Sequence, residues 1–536
     1  MRSTFMGLET SKRGIYTQQS ALYTTGHNIS NANTLGYSRQ RVNMQATSGF
    51  PGVGLNTPTM PGFLGTGVEA GSIQRIRDGF VDHQFRSESN KLGYWESQTK
   101  AIGQLEDVLA EPSAYGLQGA LSQFWQSLEG LASNPENGGA RAVVVERGKS
   151  VADSFNYIYN SLKEIQGNLK NEIDVGAKQI NSVLKQIGDL NKQIGEVEPN
   201  GYMPNDLYDE RDRLLDELAE YFPIKVTYDE SGGNALKIAQ GIATVQIQMD
   251  GEFVTVVKGK EFAEMKGFYE GTGDTPPFSN VKFGKLDKDG NLTVQYDKDM
   301  NVVPNSATDA EKEAATYSHS QLLDAGRFKS LINSYGTDDG KGLYPENLKK
   351  LDQMAQEFAK AFNAAHQGDP TGNPPVYATD LNGDPGEAFF VSKTGDPITA
   401  QNISINQTIA DDPNKVAASD SEGKEVGNGK NAQKLGEIQF IPLDGLGNKS
   451  VQGYYSGDII GTLGVKGQQA INMTKNSATL LGAVSNRRDS ISSVSLDEEM
   501  TDMIRFQQAY NASARMITVM DETLDKIING MGVVGR

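Results

Sequence analysis

Residues 495–530 read SLDEEMTDMIRFQQAYNASARMITVMDETLDKIING, and their spacing decides the fold class. Leu496, Met503, Tyr510, Ile517 and Leu524 recur every seven residues, and Met531 continues the row. A second row of Met500, Phe506, Ala514, Met520 and Ile527 or Ile528 interleaves at steps of three and four. An a/d pattern sustained this long predicts a helix with one narrow seam, built to pair with another helix. Ser495 with Glu498 three residues on predicts a capping box at its start. Gly530, Gly532 and Gly535 predict its end, because glycine is a poor helix former.

The opposite end of the chain carries a fainter version. Leu8, Ile15, Leu22 and Ile29 repeat in sevens behind Phe5, while the companion position holds only Gln18 or Gln19 and Gly26. The spacing predicts a helix over 5–33. Chain ends are where order is usually lost, yet both ends here carry strict heptads instead of the broader stripe of a core helix. A lone helix of this length is marginal in water, and burial of one seam does not offset the backbone entropy of ordering it. Both ends are therefore expected to be mobile in the monomer and to order when neighbouring chains complete a bundle.

Working inwards, residues 34–75 are rich in Gly and Pro (Phe50-Pro51-Gly52, Thr57-Pro58, Met60-Pro61-Gly62), which predicts an extended linker. A helical pattern runs from about 78 to 222. Within it Ile173, Ile180, Ile187 and Ile194, interleaved with Val183, Leu190 and Val197, predict a long helix stopped by Pro199-Asn200-Gly201. A second helix is expected over 205–221, ended by Pro223. The period then changes to two: 224–228, 243–249 and 252–257 read as strands, with hairpin turns at Asp250-Gly251 and Asp289-Gly290-Asn291. Helical patterning returns at 318–335, 345–366 and 453–490, around a Gly/Asn/Asp-rich stretch with short strands at 367–452. The expected class is a multidomain α+β chain that goes out and comes back. Residues 1–65 with 490–536 make a terminal coiled coil. Residues 66–222 with 318–489 make a mainly helical unit with a short β insert at about 367–452, and 223–317 make a β-rich outer unit.

Composition excludes several functions. Lys and Arg number 50 against 68 Asp and Glu, a formal net charge of −18, which lacks the basic footprint that nucleic acid or an anionic membrane surface requires. No cysteine occurs, so thiolate metal sites, disulfides and cysteine nucleophiles are absent. No run of 18 apolar residues is present to insert in a membrane. The first nine residues have no apolar signal-peptide core, which points to a cytoplasmic chain or to export without a cleaved signal.

Candidate chemistry is thin. Asp206, Asp209, Glu210 and Asp212 crowd seven residues, but acids suit a helix's first turn, Asn205 or Asp206 can cap it, and Arg211 and Arg213 supply counter-charge. Asp380-Leu381-Asn382-Gly383-Asp384 begins like a calcium loop but has Pro385 at the glycine position and Val391 where the bidentate Glu belongs. Asp287-Lys288-Asp289-Gly290-Asn291 fails likewise, with Lys298 at the twelfth position, and both read as turns. Gly65-Thr66-Gly67-Val68-Glu69-Ala70-Gly71 has its third glycine one residue late for a dinucleotide loop and reads as a tight turn. No catalytic, cofactor or metal constellation is expected.

Three separated stretches carry a resemblance. His27-Asn28-Ile29-Ser30-Asn31-Ala32-Asn33-Thr34-Leu35-Gly36-Tyr37-Ser38-Arg39-Gln40 is similar to the signature of bacterial flagellar rod, hook and hook-associated proteins. Asn205–Asp212 with Leu214–Leu218, and Ser495–Met500 with Phe506–Ala514, resemble the hook-associated members, as do Ala132-Ser133-Asn134-Pro135 with Arg141 and Phe389-Phe390. Together they favour the hook–filament junction members over a hook or rod subunit. A flagellum-associated hydrolase, the alternative of another class, lacks a visible constellation, and an adhesive role for 223–317 stays open as a secondary one.

The resemblance implies a structural subunit and no enzyme. Its terminal helices would form the inner layer of a hollow tube, with the helical unit around it and the β-rich unit outside. It implies self-association in a helical layer, with the hook protein on one side and a second junction protein, and through it flagellin, on the other. It also implies export through the flagellar type III route, with a dedicated chaperone on the C-terminal helix, to an extracellular position. The residues expected to carry assembly are Leu8, Ile15, Leu22, Ile29, Asn31, Asn33, Gly36 and Tyr37 at one end. At the other they are Leu496, Met500, Met503, Phe506, Tyr510, Ala514, Ile517, Met520, Leu524 and Ile528. The short amides Asn28, Asn31 and Asn33 can end a helix by bonding their own backbone, and Gly36 permits a positive φ that turns the chain outward.

Overall fold

The computed structural model describes residues 5–50, 64–109, 116–273, 275–304, 306–369, 371, 375–395 and 397–530. It opens with helix α1 (Phe5–Ser30) and the strands β1 (Gln40–Ala46) and β2 (Val68–Arg75), which pair antiparallel. Four helices follow: α2 (Gly79–Leu109), α3 (Leu117–Ser133), α4 (Gly138–Val197) and α5 (Asn205–Tyr221). At 60 residues α4 is the spine. Its rows of seven are buried at Ile173, Ile180, Ile187 and Ile194, so the heptads expected there do face a core. The helix gives way to a 3-10 turn, Glu198–Asn200, and Gly201 takes the left-handed conformation (φ 84°) that ends it.

The β-rich stretch contains β3 (Ile224–Asp229), β4 (Ile242–Gln248), β5 (Phe253–Lys258), β6 (Glu261–Phe262), β7 (Glu264–Tyr269), β8 (Phe278–Leu286), β9 (Leu292–Tyr296), β10 (Val302–Val303), a short helix α6 (Asp309–Ala314) and β11 (Thr316–Ser318). One sheet has the order β3-β4-β5-β6; the other runs β10-β9-β8-β11, with β7 also on β8. The Asp250-Gly251 and Asp289-Gly290-Asn291 turns form as expected, both glycines having positive φ. Inner-face Val245, Ile247, Val254 and Val256 are buried in a core continuous with that of α4.

The chain returns through α7 (Gly326–Tyr335), α8 (Leu343–Gln367), β12 (Phe390–Ser392), β13 (Ile403–Ile405), α9 (Gln407–Asp411), α10 (Lys430–Glu437) and α11 (Val451–Tyr454). A π-helical stretch, Tyr455–Gly461, joins α11 to α12 (Thr462–Ser492), and α13 (Leu496–Gly530) follows. Phe124, Phe155, Phe358, Phe362, Phe389 and Phe390 stack where α3, α4 and α8 meet β12, which accounts for the paired phenylalanines at 389–390. Arg141, also fully buried, donates to the carbonyls of Pro135, Asn414 and Val416, tying the Ala132–Pro135 corner to the 3-10 turn at 413–415. His366 is enclosed too. Its Nε2 accepts from the Ala417 N–H (2.9 Å), Nδ1 donates to the Glu387 carbonyl (2.6 Å), and burial pushes its pKa down to about 4.

The α+β class is as expected, and several local expectations need correcting. Residues 34–75 are not simply a linker: β1 and β2 form a hairpin there, with no alternating apolar face to announce it, because it lies along α1. The hairpin spans the boundary expected near 65. The glycine run 65–71 leads into β2 and is not a turn: Gly67 (φ 115°) meets the backbone of Thr10, and Gly71 lies within the strand. The 51–63 portion of that stretch and Gly532, Gly535 and Met531 lie outside the described residues. Residues 322–325, expected to be helical, are not, because α7 begins only at Gly326. Two helices, α9 and α10, stand inside the stretch read as short strands.

Candidate functional site

The two ends of the chain lie together as an antiparallel pair. A Cβ on Gly7 would sit 2.7 Å from Met520, and one on Gly14 would sit 3.0 Å from Ser513. Asn28 reaches Glu499. Each step of seven on α1 is thus a step of seven back along α13, and the contact row on α1 is Gly7, Gly14, Ala21 and Asn28. These side chains are small, so the helices approach closely. Leu8, Ile15, Leu22 and Ile29, expected as the seam, sit one residue over and remain half-buried at its edge. On α13, Met503, Phe506, Tyr510, Ala514, Ile517, Met520 and Leu524 are half-buried, whereas Leu496, Met500 and Ile528 are exposed. Glu499 is the only fully buried residue of α13.

The signature loop caps this pair. Asn28 is 1 % exposed and uses all its bonding capacity. Its Nδ2 donates to the Gln40 carbonyl (2.8 Å) and to Glu499 Oε2 (3.1 Å), and its Oδ1 accepts from the Gln40 N–H (3.0 Å) and the Tyr37 hydroxyl (2.8 Å). With Tyr37 donating, its oxygen accepts from His27 Nδ1–H (2.9 Å), which leaves His27 Nε2 as acceptor for the Asn31 amide (3.3 Å). Burial, with Asp206, Asp209 and Glu499 nearby, holds the Tyr37 phenol well above its ordinary pKa, so it stays a donor. Asn31 also bonds the His27 carbonyl, and Thr34 donates to its Oδ1. The Tyr37 N–H closes a turn on the Thr34 carbonyl (3.2 Å), and Gly36 fills its third position at φ 82°. Helix-ending by amide to local backbone therefore holds for Asn31. Asn28 instead binds across to residue 40, and Asn33 is exposed at the bend.

The 205–218 motif lies directly beneath. Gln40 donates to Asp206 (2.9 Å) and accepts from Asn205, whose amide also reaches the Ile73 carbonyl. The Ser38 N–H donates to Asp209 Oδ2 (3.0 Å). Arg75 spans Asp209 (2.6 Å) and Asp212 (3.0 Å), Arg77 takes Asp82 with Nε and Nη2 and places Nη1 3.3 Å from Asp212, and Arg86 joins Asp212 to Asp216. Arg488 from α12 completes the set on Asp216 (2.7 Å), stacked over Phe85. Four arginines meet four aspartates in a buried, neutral cluster. Burial alone would raise both Asp209 and Asp212. For Asp212, Arg77, Arg75 and Arg86 outweigh it and pull the pKa well below the carboxylate range, while for Asp209, with Arg75 at 2.6 Å and Arg77 farther off at 3.7 Å, burial prevails and the pKa stays raised.

The cap read for the helix at 205 is therefore not what forms. Pro204 occupies the N-cap and no side chain caps it. Of the two expected counter-charges, Arg213 bridges to one of the four acids and Arg211 to none. Arg213 pairs with Glu210 and Glu217, while Arg211 donates to the Gly241 carbonyl between the rings of Tyr208 and Tyr228. The capping box at 495 is likewise displaced, since Glu498 and Glu499 both turn to Arg39. The arginines at 75, 77, 86 and 488 escaped sequence reasoning. A signal was present: Asp206, Asp209, Asp212 and Asp216 share one helical face, and Arg75 and Arg77 alternate at strand spacing.

Among the described residues one group could converge on a cation: His319, Asp338 and Asp339. Protein donors already meet it. His319 Nε2 lies 2.9 Å from Asp338, Ser279 donates to Asp338, and Thr337 and Lys341 hold Asp339.

The three stretches that carry the resemblance thus converge on one place, where α1, the hairpin, α5 and α13 meet. Residues 102–390 match the family of the flagellar hook-associated protein FlgK helical domain, and 488–530 match the C-terminal family of flagellar basal body rod FlgEFG proteins. Flagellar hook-associated protein 1 of Bacillus subtilis is 41% identical over 551 residues, covering 100% of both chains. The chain belongs to the flagellar hook-associated protein 1 family. Its Salmonella typhimurium relative of the same name is 24% identical over 96% of this chain and 98% of its own. A solved hook junction protein, FlgK of Burkholderia pseudomallei, shares the fold at a TM-score of 0.58 and 12% identity, over 76% of this chain and 100% of that one. Like the rest of the hook-associated protein 1 family, the chain is a structural component of the bacterial flagellum, built into its axial structure with hook and filament proteins, and not an enzyme. No described helix is long and apolar enough to cross a membrane.

Proposed function

We propose that the chain forms a layer of the hook–filament junction, with α1 and α13 in an inner bundle completed by neighbouring copies. One observation carries this reading. The helix pair closes on its small-residue row, and apolar side chains are left facing outwards on both helices: Phe5, Tyr16 and Tyr23 on α1, Met500, Ile504, Met516, Val519 and Ile528 on α13. Apolar surface of that extent on a slender two-helix arm is the mark of an unfinished interface. Leu8, Ile15, Leu22 and Ile29 at the edge of the seam, with Leu496 and Met500, are the contacts a neighbour would complete. Head-to-tail contacts that do not close on themselves build a tube of such subunits.

On this reading the terminal unit comprises α1, the β1–β2 hairpin and α13, the helical unit surrounds it, and strands β3–β11 face outwards. The partners are the hook protein on one side and a second junction protein, leading to flagellin, on the other. The same exposed face of α13 suits a chaperone before assembly, and export through the flagellar type III route places the layer outside the cell. A strain lacking the chain should build hooks and shed flagellin into the medium without growing filaments. Normal filaments in that strain would overturn the proposal.

A further inference from the structure

Arg39 stands where the end of α12, the end of β2 and the start of α13 come together. Its N–H donates to the Ser492 carbonyl at the end of α12 (2.8 Å), and its carbonyl accepts from the Ile76 N–H just past β2 (2.8 Å). Its guanidinium fans over the first two turns of α13, to Glu499 (2.6 Å), Glu498 and Asp502 (3.8 Å). Only Ser493, Val494 and Ser495 separate α12 from α13. Beyond residue 502 α13 buries no side chain completely and is held by its row on α1, so the two helices form one arm whose angle to the helical body is set at this end.

We infer that Arg39 is the pin that sets the angle between α13 and the helical body. Burial disfavours its charge, and the bonds to Glu498 and Glu499 more than offset that, so the guanidinium stays charged. A planar, forked guanidinium can hold three carboxylates on one helical face at once, and a lysine ammonium, a point charge, cannot. Loss of the pin leaves α13 held by its row on α1 and by the Asn28–Glu499 bond, and the paired helices can then swing together about the short 493–495 link. The lever is long: Glu499 to Ala512 spans roughly 20 Å of helix, so a swing of about 30° displaces residue 512 by about 10 Å. This inference concerns the single chain and holds whether or not the bundle proposed above forms.

The absence of cysteine makes the full-length chain suited to paired spin labels. Lys192→Cys on α4 with Ala512→Cys reports the direction of α13, and Lys192→Cys with Gln469→Cys on α12 reports the body. In Arg39→Ala the 192–512 distance distribution should at least double in width or shift by about 10 Å. Arg39→Lys should lie between it and the parent chain, and Arg213→Ala, an arginine paired within α5, should match the parent. The 192–469 distance should not change in any of them. An unchanged 192–512 distribution in Arg39→Ala would overturn the assignment. So would equal broadening of the 192–469 distance, which would make Arg39 a support of the body and not of the angle.

Discussion

Asn28→Asp replaces one atom of the latch between the two chain ends and should release α13 in a pH-dependent way. The amide that donates to Glu499 Oε2 at 3.1 Å becomes a second carboxylate at the same distance, in a pocket where both residues are almost fully buried. Two full charges so placed repel by about 5 kcal/mol at an effective dielectric near 20. Taking up one proton is cheaper: from a reference pKa of about 4.3 it costs about 4 kcal/mol at pH 7 and about 1 kcal/mol at pH 5. The lost bond to the Gln40 carbonyl adds about 1 kcal/mol at either pH. Hydrogen exchange over 496–510 should therefore rise by about three orders of magnitude at pH 7 relative to the parent, and by about one at pH 5. The slope, one proton per opening, is the diagnostic part, and Asn28→Ala should show the loss without the slope. Equal protection in Asn28→Asp and the parent at pH 7 would refute the latch.

Other consequences follow from the same geometry. Asp212→Asn breaks contacts to Arg75, Arg77 and Arg86 inside the buried cluster and should cost about 3–5 kcal/mol in urea unfolding at pH 7. Because Asp212 is depressed in the folded chain, its contribution is present above the unfolded carboxylate range and fades as acid protonates it, so mutant and parent should converge at low pH. His366, neutral in the fold and pushed down to about 4 from 6.5, should make the helical body lose about 3 kcal/mol between pH 6.5 and 4, because the unfolded chain binds that proton first. His366→Gln should flatten that part of the profile. Gly36→Val places a β-branched residue at φ 82°, a cost of about 1–3 kcal/mol that reshapes the turn, with room for the side chain beside Arg213. Secretion should persist in that variant while assembly falls.

Sequence legibility tracked the range of the forces. The heptads of α4 and the stop at Pro199–Gly201 were readable because burial along one long helix has a fixed period. Strands β3 to β5 were readable for the same reason at period two. The β1–β2 hairpin was not: it rests on α1 through Thr17, whose hydroxyl bonds the Val68 carbonyl, and such contacts leave no periodic apolar trace. At the site, Gly36 and the turn at 34–37 were legible from local conformational demands. The packed row of α1 was not, since Gly7, Gly14 and Ala21 matter for the side chain they lack, and apolar scoring finds Leu8, Ile15 and Leu22 beside them. Apart from Arg77 and Asp82, the arginine–aspartate cluster joins residues more than a hundred positions apart, and only the fold brings them together.

The central claim is that the outward apolar faces of α1 and α13 are completed by neighbours. Amide exchange over residues 5–13 and 514–530, the helix ends beyond the Gly14–Ser513 contact, compared between dilute monomer and chain incorporated on isolated hooks, tests it most directly. Rapid exchange in the monomer and strong protection after incorporation is the expected result. Full protection in the dilute monomer, or no gain on incorporation, would contradict it.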